Sequence, residues 1–184
     1  MMDAKIKYLD KFSQGIYDSS IVVEWEPFGD SLLEPLLNFL KIGTSYEKFN
    51  ATEVFRQMWF LGKYRQWILE HAVEPMIQNL QDEYEYTRGI TVAVLSDFRD
   101  KRALEPIISL ANDSSDYVRW VVAWYLGNFD DKRAIPALEW IRDNDNSWQR
   151  VRDDNEEEGY RKEFNRDAAI ETIAKLTKIS EQDN

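Results

Sequence analysis

Residues 73–103 read VEPMIQNLQDEYEYTRGITVAVLSDFRDKRA, and residues 104–134 read LEPIISLANDSSDYVRWVVAWYLGNFDDKRA. The second stretch repeats the first without a gap. Both begin with an apolar residue and Glu-Pro, and both close on Asp-Lys-Arg-Ala. A period of about 31 residues is the signature of a solenoid, in which each unit buries its apolar face against its neighbours. The matched pairs include Asp82/Asp113, Tyr86/Tyr117, Arg88/Arg119, Leu95/Leu126 and Phe98/Phe129.

Each unit of this repeat predicts two helices. Pro75 and Pro106 mark the first helix, because proline is favourable in the first helical turn, where its missing N–H would have no partner. An Asp-rich turn follows, and the second helix begins near Tyr-x-Arg. In the second unit, Asp116 is predicted as the N-cap of that helix and Gly127 as its end.

The segments Asp116-Tyr117-Val118-Arg119, Leu126-Gly127 and Asp131-Lys132-Arg133-Ala134 resemble the short HEAT repeats of the phycobilisome-lyase type. The resemblance covers residues 73–142, and the unit 73–103 departs from it at Thr87 and Ser96. It implies an all-α fold, a right-handed α-solenoid of about four HEAT-like helix pairs. It also implies that the second helices line the concave side of the solenoid.

The same signals extend the predicted array towards the N-terminus. Leu33-Glu34-Pro35 echoes the Glu-Pro start, and Trp59-Phe60-Leu61-Gly62 echoes Trp124-Tyr125-Leu126-Gly127. Residues 31–72 are therefore predicted as a degenerate repeat, in which residues 63–72 form a longer connection. Residues 1–30 match no unit and are predicted as an N-terminal cap, with an amphipathic helix from Met2 to Phe12 and a short extended piece or helix edge at 21–25.

Residues 135–184 are predicted as the last repeat of a single domain that spans residues 1–184. Its first helix begins at Ile135-Pro136, and its second helix carries residues 165–170 and runs to Leu176. Pro136 and Arg166 lie 30 residues apart, against 13 between Pro106 and Arg119, so about 17 residues are inserted. The insertion, residues 143–160, contains an acidic run at 153–158, for which a solvated loop is the simplest interpretation.

The repeat register predicts a partner-binding row on the second helices. Trp120 and Trp124 stand four residues apart and are therefore neighbours on one helix face. Val118, Val122, Ala123, Tyr125 and Leu126 fall on predicted core positions of the same helix. Buried aromatic anchors supply much of the binding energy at protein interfaces, although these tryptophans have the alternative of packing against first-layer helices. Alignment of the repeats gives the predicted partner-binding residues Phe55, Trp59, Ile90, Trp120, Val121, Trp124, Asp167 and Glu171.

Arg88 and Arg119 are predicted to be structural, each bonding to Asp residues of adjacent turns.

The composition of the chain argues against catalysis. It has no cysteine and one histidine, His71, which leaves no thiolate site and one candidate for an imidazole base. No Gly-rich phosphate loop occurs. Residues 143–147 match the first half of a calcium loop, but Trp148 stands where that loop requires glycine. We therefore expect no enzymatic activity, no metal and no cofactor.

The charge of the chain predicts the kind of partner. With 34 acidic and 23 basic residues, the formal net charge is −11, which repels a phosphate backbone, and no stretch is apolar enough to span a membrane. We expect a cytoplasmic protein that binds a protein partner with a basic surface, and neither nucleic acid nor membrane.

Two functions stay open besides a plain scaffold. One is an immunity or antitoxin-like protein that occludes a basic toxin through a concave aromatic and acidic face; the other, implied by the resemblance, is a phycobilin lyase-like or phycobilisome-associated factor.

Overall fold

A computed structural model describes residues 2–14, 24–156 and 159–182 of the chain. The predicted extended piece or helix edge at 21–25 lies largely outside these residues. The described chain is mostly helical, and it divides into two compact units, Met1–Phe98 and Arg99–Asn184. None of the helices in the described segments is long and apolar enough to cross a membrane.

The first unit is built from helices joined by short turns. The helices are α1 (Met2–Asp10), α2 (Leu33–Ile42), α3 (Ser45–Phe60), α4 (Arg65–His71), α5 (Val73–Asn79) and α6 (Glu85–Phe98), with 3-10 turns at Lys11–Gln14 and Glu26–Leu32. Helix α3 begins with a capping box, because the Thr44 hydroxyl accepts the N–H of Glu47 and the Glu47 carboxylate accepts the N–H of Thr44 at 2.7 Å. Phe12 is fully buried and stacks on Phe39 at 5.1 Å between ring centroids.

The predicted helix pairs of the first unit are present. Helices α2 and α3 pack together within the predicted degenerate repeat, and α5 and α6 pack together within residues 73–103. Helix α3 also packs along α6. Residues 63–72, predicted as a connection, contain helix α4.

The second unit continues the helix-pair pattern and adds two strands. The elements are 3-10 turns at Lys101–Ala103, Leu110–Asn112, Leu126–Phe129 and Lys132–Ala134, helices α7 (Leu104–Ser109), α8 (Asp116–Tyr125), α9 (Ile135–Asn144) and α10 (Asn165–Gln182), and strands β1 (Trp148–Arg152) and β2 (Tyr160–Phe164). Ser115 is the N-cap of helix α8, so the prediction of Asp116 as the N-cap is wrong by one residue.

Equivalent arginines make equivalent bonds in the two clear repeats. The Nη1 atom of Arg88 donates to the backbone oxygen of Asp82 at 2.8 Å, and Nη1 of Arg119 donates to that of Asp113 at 2.8 Å. Each arginine therefore ties the start of its second helix to the Asp-rich turn before it. These bonds agree with the predicted structural role of both arginines.

The end of each repeat is also built twice in the same way. Arg99 and Asp130 both adopt the left-handed region, with φ of 56° and 51°. The next residue, Asp100 or Asp131, caps a 3-10 turn by accepting the backbone N–H two residues further on. The Asp-Lys-Arg-Ala signature thus encodes a local turn, which explains why it recurs in the sequence.

The insertion folds as a β-hairpin, whereas a solvated loop is what the sequence predicts for its acidic run. Strands β1 and β2 pair antiparallel, with Trp148 opposite Phe164 and Arg152 opposite Tyr160. Strand β1 lies against α8, and β2 lies against α10. The acidic run at 153–156 forms the turn side of this hairpin, while residues 157–158 lie outside the described chain.

Gly127 serves a close approach between two helical segments. The ordinary helix gives way to a 3-10 turn at Leu126, near the predicted end. A Cβ atom at Gly127 would lie 2.7 Å from Cγ2 of Thr172 on helix α10. Glycine is required at this position because it has no side chain, which lets α10 pack this closely, and not because of its conformational freedom.

Candidate functional site

The two tryptophans of helix α8 share one carboxylate acceptor. Trp120 and Trp124 are half-buried, and the Nε1 atom of each donates to Oε1 of Glu163 on strand β2, at 3.1 Å for Trp120. Glu163 is only 5% exposed. The hairpin therefore reaches over the helix and fixes both indole rings with one oxygen atom.

Arg161 compensates the charge of this buried carboxylate. Its Nη2 lies 2.7 Å from Oε2 of Glu163, and its Nε lies 3.2 Å from Asp153. Oε1 of Glu163 thus accepts bonds from the two indoles, and Oε2 pairs with the Arg161 guanidinium. A buried carboxylate needs such partners, because an unpaired buried charge is costly. The arrangement fixes β2 against α8 through polar bonds in addition to packing.

A groove opens beside the two indole rings, with a volume of about 460 Å³. Its walls come from helix α8, the 3-10 turn that follows it and the inner side of the hairpin. Tyr125, predicted to be core, is half-exposed and lines this groove. The lining residues are Trp120, Trp124, Tyr125, Asn128, Val151, Arg152, Arg161 and Glu163.

Three of the predicted binding residues lie in the first unit: Phe55, Trp59 and Ile90. Phe55 is fully buried, because helix α4 lies over it and places the Trp67 ring 6.0 Å from the Phe55 ring. The prediction that Phe55 lines an accessible surface is wrong. Trp59 is half-buried, with its ring 4.5 Å from that of Phe98 and the Arg65 guanidinium 5.1 Å from its ring centroid.

Two further predicted residues belong to the core. Ile90 on α6 is 7% exposed, and Val121 on α8 is 3% exposed. Helix α8, which carries Val121, is packed against α10. Neither side chain is accessible to a partner, which corrects their assignment. Asp167 and Glu171 are exposed on α10, four residues apart on one face.

Glu163 was not among the residues predicted from the sequence. Residues 148–152 and 160–164 read WQRVR and YRKEF, and the two stretches flank an Asp-rich turn, an arrangement that is compatible with a hairpin. In the structure, exposed and less exposed side chains alternate along β1 but not along β2. The sequence signal for the hairpin is therefore weak, and it does not single out Glu163.

A buried ion pair supports the base of the hairpin. Arg119 donates from Nε to Oδ2 of Asp145 at 2.7 Å, and Asn165 donates to the same oxygen at 2.9 Å. Burial alone would raise the pKa of Asp145, but the bonds from Arg119, Ser147 and Asn165 outweigh it and lower that pKa to about 2. Asp145 thus links α8, α9 and α10. In the segment 143–147, which resembles half of a calcium loop, Asp145 therefore pairs with an arginine.

No group of three or more His, Asp and Glu side chains within the described segments lies close enough to hold a metal ion. The groove beside the tryptophans is instead lined by aromatic, aliphatic and charged side chains whose charges are balanced locally. Arg152 pairs with Asp154 at 2.9 Å, and Arg161 pairs with Glu163. Such a lining suits recognition of another molecule by shape and hydrogen bonding.

Comparison with known proteins supports the repeat. Residues 73–155 match the family of HEAT repeats, which covers both clear repeats, helix α9 and strand β1. The match does not distinguish the phycobilisome-lyase type from other HEAT repeats, so that resemblance stays a prediction. No curated protein matches the chain.

Proposed function

We propose that this protein is a non-catalytic module that binds another protein, on the premise that residues 73–155 are HEAT repeats. HEAT repeats generally mediate protein–protein interaction. The binding surface in this proposal is the groove between helix α8 and the hairpin. Helix α8 is the second helix of a repeat, the position from which the resemblance predicts binding.

The shared acceptor of Trp120 and Trp124 is the observation that carries the proposal. Both indoles are held by Glu163 before any partner arrives, so binding loses little side-chain entropy. Tryptophan is among the residues that dominate binding energy at interfaces. A rigid, half-buried pair of indoles beside an open groove is therefore well suited to anchor a side chain of the partner.

Within this function, we infer that the partner has a basic surface and that the protein occludes it as an immunity or antitoxin-like inhibitor. The formal net charge of −11 favours a cationic partner, and Asp167 and Glu171 expose two carboxylates on one face of α10. Complementary charge accelerates association and suppresses wrong partners. A stoichiometric inhibitor needs a surface rather than a catalytic centre, which fits a chain with one histidine and no cysteine.

Site-specific photo-crosslinking tests the binding surface. A photoreactive amino acid at Asn128, which lines the groove, is expected to capture a protein in the source cell. The same group at Lys132, an exposed residue of the same unit outside the groove, is the matched control. Capture from both positions alike, or from Lys132 alone, would remove the groove as the binding surface.

Co-expression tests the inhibitor role separately. The captured partner is expected to be basic, to arrest growth when expressed alone, and to become harmless when this protein is co-expressed. A partner that is acidic or harmless alone would contradict the inhibitor role. The photo-crosslinking result on the groove would stand in that case.

A further inference from the structure

Four aromatic side chains of the first unit surround a small pocket. Tyr46 and Phe49 lie one turn apart on helix α3, Tyr84 lies in the turn before helix α6, and Tyr86 lies in the first turn of α6. The pocket is lined by Tyr46, Phe49, Tyr84 and Tyr86, and it has a volume of about 160 Å³. A protein cavity of about 150 Å³ holds a molecule of the size of benzene.

The rings stand at angles to each other, as the walls of a cage do. The centroids of Tyr46 and Tyr84 are 5.1 Å apart with the ring planes at 45°, and those of Tyr84 and Tyr86 are 5.2 Å apart at 56°. The rings are therefore not parallel to each other, and they form separate walls of the pocket. The face of an aromatic ring carries the negative part of its quadrupole and attracts cations.

The repeat framework accounts for only part of this cluster. Tyr86 corresponds to Tyr117 in the next repeat, whereas Tyr84 corresponds to Ser115, so the repeat does not require a ring at the position of Tyr84. Tyr46 is 40% exposed and Tyr86 is 45% exposed. Since the repeat does not require the ring of Tyr84, which completes the cluster, a ligand explains the geometry of the pocket.

The charges around the pocket favour a cation. Glu83 and Glu85 flank Tyr84, and the nearby Lys48 is paired with Asp82 at 2.8 Å. A hydrogen bond with Tyr46, then burial and the charges of neighbours that include Glu85, raise the pKa of the Tyr84 phenol. The phenol therefore stays protonated, and among the described residues only the four aromatic side chains line the pocket.

We propose that the pocket of Tyr46, Phe49, Tyr84 and Tyr86 binds a quaternary ammonium group. A primary ammonium brings three N–H donors, for which this lining of aromatic rings offers only phenol hydroxyls as acceptors. A quaternary ammonium has no N–H, and its methyl groups carry the charge to the ring faces. The group can belong to a small molecule of the choline type or to a trimethylated lysine on a protein.

Titration with tetramethylammonium chloride tests this site, and titration with sodium chloride at the same concentrations is the control. Saturable shifts are expected in the ring NMR signals of Tyr46, Tyr84 and Tyr86. Choline is expected to bind at least about fivefold more tightly than dimethylbutanol, its neutral carbon isostere, because only choline gains the cation–π attraction. Equal binding of choline and the isostere, or no saturable shift, would overturn the proposal.

Variants separate the cage from an unspecific effect of the cation. Tyr86→Leu is expected to weaken tetramethylammonium binding about tenfold, whereas Tyr86→Phe keeps the ring and should keep the affinity. Tyr160→Leu, which removes an exposed tyrosine of the second unit, is the matched control. Far-UV circular dichroism checks that each variant is folded. Wild-type affinity in folded Tyr86→Leu would overturn the assignment.

Two further arms identify the source of the group. Choline and a peptide carrying trimethyl-lysine are titrated in parallel, with the unmodified lysine peptide as reference. Tighter binding of the modified peptide assigns the site to a modified protein, and tighter binding of choline assigns it to a small molecule. Tighter binding of the unmodified peptide than of either would overturn the quaternary ammonium assignment.

Discussion

Trp120 donates its indole N–H to Oε1 of Glu163 at 3.1 Å, across 43 residues of sequence. The bond connects a helix of the clear repeat to a strand of the insertion. Because Trp124 donates to the same oxygen, the insertion is part of the surface that the repeat presents. The aromatic row predicted from the repeats is thus replaced by a site that needs the hairpin.

Removing the shared acceptor should loosen the site. Glu163→Leu leaves two half-buried indole N–H groups without their acceptor, and a lost buried partner costs about 1–3 kcal/mol. We expect urea unfolding to show a loss of about 2 kcal/mol, and the fluorine NMR signals of fluorotryptophan at 120 and 124 to broaden or shift.

Glu171→Leu is the matched control for this experiment. It removes an exposed carboxylate of the same unit and should change stability by less than about 0.5 kcal/mol. If Glu163→Leu is as stable as Glu171→Leu and leaves both fluorine signals in place, Glu163 does not hold the indoles.

A methyl group at Gly127 should disturb the contact between α10 and the 3-10 turn that follows α8. The Cβ of Gly127→Ala would lie 2.7 Å from Cγ2 of Thr172, and such overpacking costs about 1–3 kcal/mol. Thr172→Ser removes that methyl group but keeps the hydroxyl that donates to the Ala123 carbonyl at 2.7 Å. Thermal or urea unfolding of the two single variants and the double variant should therefore show rescue in the double variant. Strictly additive losses would argue against this contact.

The buried pair of Arg119 and Asp145 predicts a pH dependence. The pKa of Asp145 is lowered to about 2, below its ordinary value of about 4. Its contribution to stability is complete above pH of about 4 and is lost as the pH falls towards about 2, because the unfolded chain binds the proton first. The stability advantage of the wild type over Asp145→Asn should shrink by about 2 kcal/mol across this window.

Urea unfolding at stepped pH measures that difference. Asp154→Asn removes an exposed carboxylate from the same unit and should differ from the wild type by less than about 0.5 kcal/mol throughout. A wild-type advantage over Asp145→Asn that stays constant down to a pH of about 2 would contradict the role of the pair.

The repeat was predictable because its determinants are local. Arg88 and Arg119 each bond to a turn six residues earlier in the chain, so both partners of each bond lie within one repeat. The same holds for the caps at Asp100 and Asp131. Contacts of this kind recur with the sequence period and can be read from it.

The site was only partly predictable because it depends on what packs over the repeat. The register placed Phe55 on the surface, but helix α4 buries it with Trp67. It placed Val121 outside the core, but Val121 is 3% exposed on a helix that packs against α10. Trp120 and Trp124 were found, whereas their acceptor Glu163 was not, because a pairing across about 40 residues leaves no trace in the repeat pattern.

The affinity of the crosslinked partner for Asn128→Arg tests the binding surface most directly. The larger side chain would fill part of the groove beside Trp124 without removing a core residue, and Lys132→Ala is the control outside the groove. Calorimetric titration is expected to show that the partner binds Asn128→Arg at least about tenfold more weakly than the wild type, a loss of about 1.4 kcal/mol in binding free energy. The affinity for Lys132→Ala is expected to be unchanged. Wild-type affinity in a folded Asn128→Arg variant would contradict the claim that this groove holds the partner.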